Sequence, residues 1–230
     1  MKIALIGHGA MGTLIERLAV EKGHEISAVT GRSEGSFSDL CGADVAIDFT
    51  AADAVRRNVE MCVRAAVPLV EGTTGWNEQR RDIEKIVEDG DGAMVFGANF
   101  SIGVNLFYKI AGFAAELFAK FPEYESFIEE QHHSRKTDAP SGTALEIKDL
   151  ISKWVSVGDI ASTRAGNIPG THRIGFDGPA DQILLRHSAR SREGFALGAI
   201  MAAEWIINKK GFFEFSAVMD EIINPPSSDA

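Results

Sequence analysis

Cysteine is scarce in this chain, whose 230 residues include two, Cys41 and Cys62. Neither belongs to a CxxC or Cys/His ligand pattern, so the sequence predicts no disulfide framework and no structural zinc site. Apolar runs are short too, and none approaches the roughly 18 consecutive residues of a membrane-spanning helix. The first apolar segment, residues 3–6, is too short for the core of a signal peptide. We therefore expect a soluble cytoplasmic protein with reduced thiols and no membrane partner.

Positive charge is also in short supply. The chain has 23 Lys and Arg residues against 33 Asp and Glu residues, which gives a formal net charge of −10. A general nucleic-acid binder needs a basic face that displaces counterions from phosphates, so this composition argues against nucleic acid as a partner. An anionic ligand must instead meet a local basic patch.

The N-terminal half alternates between short β-rich runs and stretches of helical period. The runs are residues 2–6, 25–29, 44–48, 67–70 and 93–96, and the amphipathic stretches between them include residues 11–22, 54–65 and 78–88. Such alternation predicts a Rossmann-type, doubly wound parallel α/β sheet. Later, strands are expected in residues 123–131 and 171–189 and helices in 143–155 and 193–208. This grouping predicts a second α+β domain with an open mixed or antiparallel sheet.

A glycine motif follows the first predicted strand and opens the first helix. It reads Gly7-His8-Gly9-Ala10-Met11-Gly12. Glycines at these positions permit a tight turn, close approach to a pyrophosphate and close packing of helix on strand, while the helix N-terminus favours anions. The alternative is a glycine-rich turn that binds nothing. Because strand, helix and later alternation all fit, the motif predicts a dinucleotide site formed by these six residues.

The residues after the second strand indicate which dinucleotide binds. NAD-preferring sites place an acidic residue there, but this chain reads Val29-Thr30-Gly31-Arg32-Ser33. Arg32, with Ser33 or Thr30, is suited to a 2′-phosphate. We therefore predict NADPH over NADH. Glu34 keeps use of NADH open, and Arg32 could instead be a solvated surface charge.

Two further predicted strands of the parallel sheet are followed by loops with small or hydroxyl-bearing residues. The segments are Gly72-Thr73-Thr74-Gly75 and Gly97-Ala98-Asn99-Phe100-Ser101, and Asp48-Phe49-Thr50 follows the strand before them. Open α/β sheets bind ligands at these strand ends. Each loop alone could be an ordinary turn. Together they predict contacts to ribose and nicotinamide, with Phe100 flanking the ring.

The densest chemical segment is Glu129-Glu130-Gln131-His132-His133-Ser134-Arg135-Lys136-Thr137-Asp138-Ala139-Pro140-Ser141-Gly142-Thr143-Ala144. Thr143 and Glu146 have the spacing of a capping box, so a helix should start there. Its N–H groups near Gly142 and Thr143, with the Ser141 and Thr143 hydroxyls, predict a carboxylate site.

In the same segment, His133 and Lys136 add donors and positive charge, so we expect a small dicarboxylate. His132 and Lys136 are the candidate proton-transfer groups. The alternatives are an ordinary surface or core histidine, or a zinc site, which adjacent histidines favour little.

These segments together resemble the dihydrodipicolinate reductase family of the diaminopimelate and lysine pathway. The family signature E-x-H-H-x-x-K-x-D-A-P-S-G-T-A is similar to residues 130–144, and the resemblance continues through Asp48-Phe49-Thr50, Gly72-Thr73-Thr74-Gly75, Ala98-Asn99-Phe100-Ser101 and Gly166-Asn167-Ile168-Pro169-Gly170-Thr171-His172. It spans nearly the whole chain, in order.

The resemblance implies an NAD(P)H-dependent reduction of 4-hydroxy-tetrahydrodipicolinate to tetrahydrodipicolinate after loss of water. It implies proton transfer by His132 and Lys136, substrate binding by His133, Gly142 and Thr143, and a role near the hinge and substrate for Arg192. It further implies a dinucleotide-binding domain of residues 1–101 and 192–230, and a substrate-binding and oligomerisation domain of residues 102–191 that forms homotetramers.

Two departures from the family affect cofactor preference. The glycine loop reads Gly-His-Gly-Ala-Met-Gly where many members have a longer loop with Gly-Arg-Met-Gly, and no acidic residue follows the second strand. The rival interpretations are another Rossmann-type NAD(P)-dependent oxidoreductase, or a non-catalytic NADPH-binding sensor. The first has no need of the His-His-Ser-Arg-Lys segment, and the second would be expected to lose His132 or Lys136.

Overall fold

The structure is a computed structural model that describes residues 1–31, 40 and 42–225. Arg32, Ser33, Glu34 and Cys41, which enter the sequence interpretation, lie outside the described residues. The chain divides into two compact units, Met1–Ile102 with Glu193–Ala230, and Gly103–Arg192. Each is described by itself below.

The helices and strands are numbered along the chain. They are β1 (Lys2–Ile6), α1 (Ala10–Glu21), β2 (Glu25–Thr30), β3 (Val45–Asp48), α2 (Val55–Ala65), β4 (Leu69–Glu71), a 3₁₀ turn (Asn77–Gln79), α3 (Arg80–Asp89), β5 (Ala93–Phe96), α4 (Ile102–Phe118), β6 (Glu125–His132), α5 (Gly142–Ile151), β7 (Ala161–Arg164), β8 (Thr171–Asp177), β9 (Gln182–Ser188), α6 (Glu193–Ile206), β10 (Gly211–Glu214) and α7 (Phe215–Ile223).

The first unit contains a six-stranded sheet in the order β10-β5-β4-β3-β1-β2. Every neighbouring pair is parallel, as the alternation of strands and helices predicts. β1 shows how both faces are covered, because Ile3 and Leu5 pack in a core with α1, α6 and α7, whereas Ala4 and Ile6 pack with α2 and α3. The period of two along the strand thus places apolar side chains on both faces. The predicted Rossmann-type sheet is confirmed.

The second unit contains a four-stranded sheet in the order β7-β6-β8-β9. β6 pairs with β7 in parallel and with β8 antiparallel, and β8 and β9 form an antiparallel hairpin. The sheet is therefore mixed, as expected. Its core joins α4, α5 and the sheet through Phe107, Ile128, Ile147 and Phe176.

The structure contains elements that the sequence pattern did not separate. α4 is mostly apolar, with Lys109 and Glu116 as its charged residues, and the sequence pattern did not identify it. The region 171–189 forms two strands around a short turn, and β7 and β10 are strands of four residues. Within the described residues, none of the helices is both long and apolar enough to span a membrane.

Candidate active site

The glycine motif forms the turn between β1 and α1. Gly7 has φ +88°, and a Cβ there would lie 2.7 Å from Thr50 Cγ2. A Cβ on Gly12 would lie 2.2 Å from the Gly7 carbonyl oxygen. Both positions therefore need glycine, for conformation at Gly7 and for close approach at Gly12. Gly9 is the N-cap of α1 and has no side-chain cap bond, so the first N–H groups of the helix stay open to an anion.

A cavity of about 370 Å³ lies beside this turn. Its lining comes from the glycine motif and the two loops after β3 and β4, namely Gly9, Ala10, Met11, Phe49, Thr50, Ala51, Gly72, Thr73 and Thr74. Gly72 is required here because a Cβ would lie 2.1 Å from the Phe49 ring. The structure thus brings together at one cavity six of the residues predicted to bind the cofactor: Gly9, Ala10, Met11, Gly72, Thr73 and Thr74.

Other predicted cofactor residues lie elsewhere. His8 is exposed and its Nε2 lies 2.6 Å from Glu16 Oε2. Phe100 is 2% exposed and packs in the core, with its ring centroid 4.6 Å from that of Phe215. Its ring thus belongs to the core of the first unit, and a place beside the nicotinamide stays a prediction. Asn99 Oδ1 accepts the Ser101 N–H at 2.9 Å. This bond stabilises the loop that runs from Gly97 and Ala98 to the start of α4.

The second unit holds a buried cluster around the end of β6. Glu130 and His132 are two residues apart on one face of the strand. Glu130 is the direct partner of His172 on β8, and His132 that of Arg164 on β7. His132 Nδ1 lies 2.6 Å from Glu130 Oε2, and Arg164 donates to Glu130 Oε1 at 2.5 Å. The sheet register thus assembles an Arg–Glu–His arrangement with a second histidine beside it.

The charges in this cluster follow from its burial and pairing. Burial acts to raise the pKa of Glu130, but hydrogen bonds from Arg164 and Ser141 outweigh it and lower the pKa to about 2. Burial lowers the pKa of His132, and Glu130 opposes that change. Burial and the neighbouring His132 lower the pKa of His172 to about 4. At neutral pH the site therefore contains a carboxylate, a guanidinium and two neutral imidazoles.

Lys136 lies in the loop after β6. Its Nζ is 2.8 Å from Asp138 Oδ1, and this ammonium group lowers the pKa of the Asp138 carboxyl. Lys136 is close enough to act on the His132 pKa, which it lowers. The backbone carbonyl of Asp138 accepts a bond from Arg164 at 2.6 Å. The predicted proton-transfer residues His132 and Lys136 therefore belong to one electrostatic cluster.

Helix α5 starts at Gly142, two residues earlier than an N-cap at Thr143 implies. Its N-cap is Ser141, whose Oγ accepts the Ala144 N–H at 3.3 Å, so the predicted capping box of Thr143 and Glu146 was wrong. Ser141 is 2% exposed, and its Oγ also lies 3.2 Å from His172 Nε2. The hydroxyl predicted to contact a substrate thus holds the helix and His172. Gly142 is exposed and Thr143 half-buried at the helix N-terminus, and His133 is half-buried at the end of β6.

Three members of the cluster were not singled out in the sequence: Glu130, Arg164 and His172. Glu130 belongs to the dense segment, but Arg164 and His172 are distant in sequence and reach it through strand pairing. Arg192 is exposed and immediately precedes α6. Ligand atoms of Glu130, His132 and His172 lie within 4.8 Å of one another, as a metal ion would need. However, the Arg164 guanidinium already neutralises the carboxylate, which disfavours a cation there.

A Rossmann-type unit with an open helix N-terminus, together with a unit that carries histidines, a lysine and a second helix N-terminus, defines a two-domain nucleotide-dependent oxidoreductase. Two family models match the chain: "Dihydrodipicolinate reductase, N-terminus" over residues 1–100, and "Dihydrodipicolinate reductase, C-terminus" over residues 103–219. The chain belongs to the dihydrodipicolinate reductase family.

Individual relatives agree with this assignment. The chain is 36% identical over 236 residues to 4-hydroxy-tetrahydrodipicolinate reductase of Christiangramia forsetii, covering 96% of this chain and 99% of the relative. It is 40% identical over 195 residues to the enzyme of the same name from Methanosarcina barkeri, covering 77% and 73%. Among solved structures, the dipicolinate-bound dihydrodipicolinate reductase from Paenisporosarcina sp. TG-14 superposes with a TM-score of 0.77 at 24% identity, covering 93% and 97%, which supports the fold.

Proposed function

We propose that this chain reduces 4-hydroxy-tetrahydrodipicolinate to tetrahydrodipicolinate with NAD(P)H, in diaminopimelate and lysine biosynthesis. The relatives that carry this enzyme name match most of the chain. The observation that carries the proposal is the pairing of His132 with Glu130 beside Lys136, close in sequence to the N-terminus of α5. This set combines proton transfer with anion binding, which a reduction of a cyclic dicarboxylate requires.

The residues of the first unit fit a dinucleotide. Gly7, Gly9 and Gly12 leave the backbone open at the start of α1, where a pyrophosphate would accept N–H bonds. Gly72, Thr73 and Thr74 line the adjoining cavity, where they would contact ribose and nicotinamide. When bound, the dihydronicotinamide supplies the hydride that reduces the substrate. We assign residues 1–101 and 192–230 to this dinucleotide-binding role.

NADPH is the cofactor that we favour. No acidic residue lies at the end of β2, where an NAD-specific site holds the ribose diol, and Arg32 lies two residues after the end of that strand in the sequence. Thr30 is not a candidate for the 2′-phosphate, because its hydroxyl is buried and donates to the Leu5 carbonyl at 3.4 Å. The preference therefore rests on Arg32, with Ser33 as its possible partner.

His132 is suited to accept and return a proton at Nε2. Its Nδ1 faces the Glu130 carboxylate, so the neutral ring carries its hydrogen on Nδ1 and its lone pair on Nε2. Gly170 leaves room beside this nitrogen, because a Cβ there would lie 3.1 Å from Nε2. When the ring accepts a proton, Glu130 stabilises the imidazolium as the acid of a catalytic triad does. His132 would thus take the ring proton released as water leaves the substrate.

Lys136 supplies positive charge and a second proton. Reduction of the conjugated imine develops negative charge on the substrate ring, which an ammonium group stabilises. The exposed Gly142 and half-buried Thr143 at the start of α5, with His133, would bind a substrate carboxylate. These roles assign residues 102–191 to substrate binding.

The decisive test is NADPH oxidation at 340 nm in a coupled assay that forms the unstable substrate from pyruvate and aspartate semialdehyde. We expect rapid, substrate-dependent oxidation by the wild-type chain. Lys136→Ala should lower kcat by about a hundredfold or more, the range of a lost general acid, without weakening NADPH binding. Lys148→Ala, on α5 in the same unit, is the matched control and should keep full activity.

The same assay separates the alternatives. A wild-type chain that binds NADPH but does not oxidise it, whichever substrate is added, would support a non-catalytic sensor. Oxidation with other carbonyl or imine compounds, and not with this substrate, would support another oxidoreductase of the same fold. Normal turnover by Lys136→Ala would remove Lys136 from the mechanism.

We also propose that the protein is a cytoplasmic homotetramer that assembles through the second unit. β9 is the last strand of its sheet, and Ile183 and Leu184 on it are 45% and 52% exposed. Edge strands with exposed apolar residues favour pairing with another chain. Light scattering after gel filtration should give about four times the 24.8 kDa chain mass, and a monomer would contradict the proposal.

A further inference from the structure

Two acidic side chains are buried directly beneath the cofactor cavity. Asp48 ends β3 and Glu71 ends β4, and the two are direct partners in the parallel ladder. Registered partners of neighbouring strands direct their side chains to the same face of a sheet. Both residues are 0% exposed. Two carboxyl groups therefore share one dry site within the first unit.

Such a pair cannot carry two full charges at little cost. Burial raises the pKa of Glu71 well above its ordinary value, and the neighbouring Asp48 raises it further. Burial also raises the pKa of Asp48, but hydrogen bonds from Asn58 and Thr50 oppose this change. The pair is therefore most stable with one shared proton, and Glu71 is its main carrier.

The groups facing the pair come from α2 and the strand-end loops. Asn58 on α2 donates from Nδ2 to Asp48 Oδ2 at 2.6 Å. Arg57, exposed on the same helix, donates to Asn58 Oδ1 at 3.4 Å. The buried Cys62 thiol also faces the pair; burial and both acids raise its pKa, which keeps it neutral. Asn58 thus stabilises the charge on Asp48.

The pair is hydrogen-bonded to both loops that line the cavity. Thr73 donates its N–H to Glu71 Oε1 at 2.7 Å, and Thr50 donates its N–H to Thr73 Oγ1 at 3.0 Å. Asn58 Nδ2 also lies 3.3 Å from Thr50 Oγ1. Glu71 is therefore the inner end of a chain of bonds whose outer members, Thr50 and Thr73, line the 370 Å³ cavity.

We propose that Asp48 and Glu71 are positioning residues for the cofactor: by sharing one proton, they hold the Thr50 and Thr73 loops in the geometry that receives its ribose and nicotinamide half. This inference rests on the proposed function, since it takes the cavity to be the cofactor site. It adds two residues that would never touch the cofactor and a proton that binding requires.

A pH dependence follows from the shared proton. Loss of the proton leaves two adjacent buried carboxylates, whose repulsion displaces the Glu71 oxygen from Thr73 and disturbs both loops. Cofactor affinity should then fall as pH rises, by up to about tenfold per pH unit once the binding-competent protonated form becomes the minor one. Glu71→Gln keeps an oxygen for Thr73 and a permanent N–H for Asp48. It is a mimic of the protonated state that cannot titrate.

The test is the dissociation constant for NADPH, measured by the fluorescence of bound cofactor from pH 6 to pH 10 for wild type and Glu71→Gln. Titration of NADPH itself and of other side chains affects both proteins equally, so the ratio of the two constants isolates Glu71. We expect a ratio near one at pH 6 that increases with pH. A ratio that stays constant across the range would overturn the proposal.

Two further variants separate positioning from general destabilisation. Glu71→Leu, which removes the acceptor for Thr73, should weaken NADPH binding at every pH. Val87→Ala on α3 empties part of the same buried core, so it should lower the unfolding temperature while leaving the constants and their pH profile unchanged. A pH profile altered equally by Val87→Ala would also overturn the proposal. If the wild-type chain binds neither NADPH nor NADH, the proposed function fails together with this inference.

Discussion

Replacing Glu130 should lower the free energy of unfolding more than replacing most other polar residues, although Glu130 lies in a proposed active site. Its pKa of about 2, against an ordinary value of 4.5, corresponds to roughly 3 kcal/mol of stabilisation of the charged form in the folded state. Glu130→Gln would remove this charge and leave the Arg164 guanidinium, whose side chain is 16% exposed, without its partner. Breaking a buried ion pair in this way costs about 3–5 kcal/mol. Both lines of reasoning predict that Glu130→Gln lowers the free energy of unfolding by about 3 kcal/mol or more.

The assay is urea unfolding followed by circular dichroism at pH 7 and at pH 3. The folded pKa of Glu130 is depressed, so its contribution is fully present above about 4.5 and is lost as pH falls towards 2. The difference between wild type and Glu130→Gln should therefore be large at pH 7 and smaller at pH 3. Glu129→Gln is the matched control: it is the neighbouring residue on β6, and its half-exposed pair with Arg173 spans 3.4 Å. A half-exposed ion pair of this kind contributes less than about 1 kcal/mol to the free energy of unfolding. Equal stability of the two variants at pH 7 would refute the reasoning.

Three further predictions concern the site. Gly72→Ala should weaken NADPH binding by about tenfold or more in a fluorescence titration, because its Cβ would overlap the Phe49 ring. Overpacking of this kind costs about 1–3 kcal/mol. The control Gly158→Ala, at an open position, should bind NADPH normally. The acid limb of kcat/KM should lie below pH 6.5, because burial lowers the His132 pKa and the neutral ring is the proton acceptor; a limb above 6.5 in the pH–rate profile would exclude this role. Arg32→Glu should raise the Michaelis constant for NADPH more than that for NADH, and an unchanged ratio of the two constants would show that Arg32 does not read the 2′-phosphate.

The parallel sheet could be predicted from the sequence because its determinants are local. β1, β3 and β4 are short, mainly apolar runs, each followed by a break and a stretch of helical period, and the glycine motif is complete within six residues. α4 was not identified from the sequence, although its length and mostly apolar composition are typical of a buried helix. The N-cap of α5 was misplaced by two residues because Ser141 and Thr143 both have capping side chains. Only the fold shows that Ser141 is the residue buried at the cap.

The residues of the candidate site likewise include some that the sequence could predict and some that it could not. His132, Lys136 and Gly142 lie within one segment, so their spacing predicted a common site. Arg164 and His172 join the cluster through the ladders of β6 with β7 and β8, and strand register between distant segments cannot be obtained from residue spacing alone. Phe100 was assigned to the cofactor because its loop follows a strand end, and its packing against Phe215 could not be obtained from residue spacing either.

The two buried acidic sites, at Glu130 and at Glu71, compensate the cost of burying a carboxyl group in opposite ways. Glu130 faces the Arg164 guanidinium, so it remains charged down to a pH of about 2 and holds His132 in one orientation. Glu71 faces a second acid, so it keeps its proton well above the ordinary range. The first arrangement fails as pH falls and the second fails as pH rises. Proton transfer at His132 and cofactor binding at Thr73 should therefore be lost at opposite ends of the pH range. The alkaline loss should appear in cofactor affinity, whereas the acid loss should appear in turnover and in the stability of the second unit.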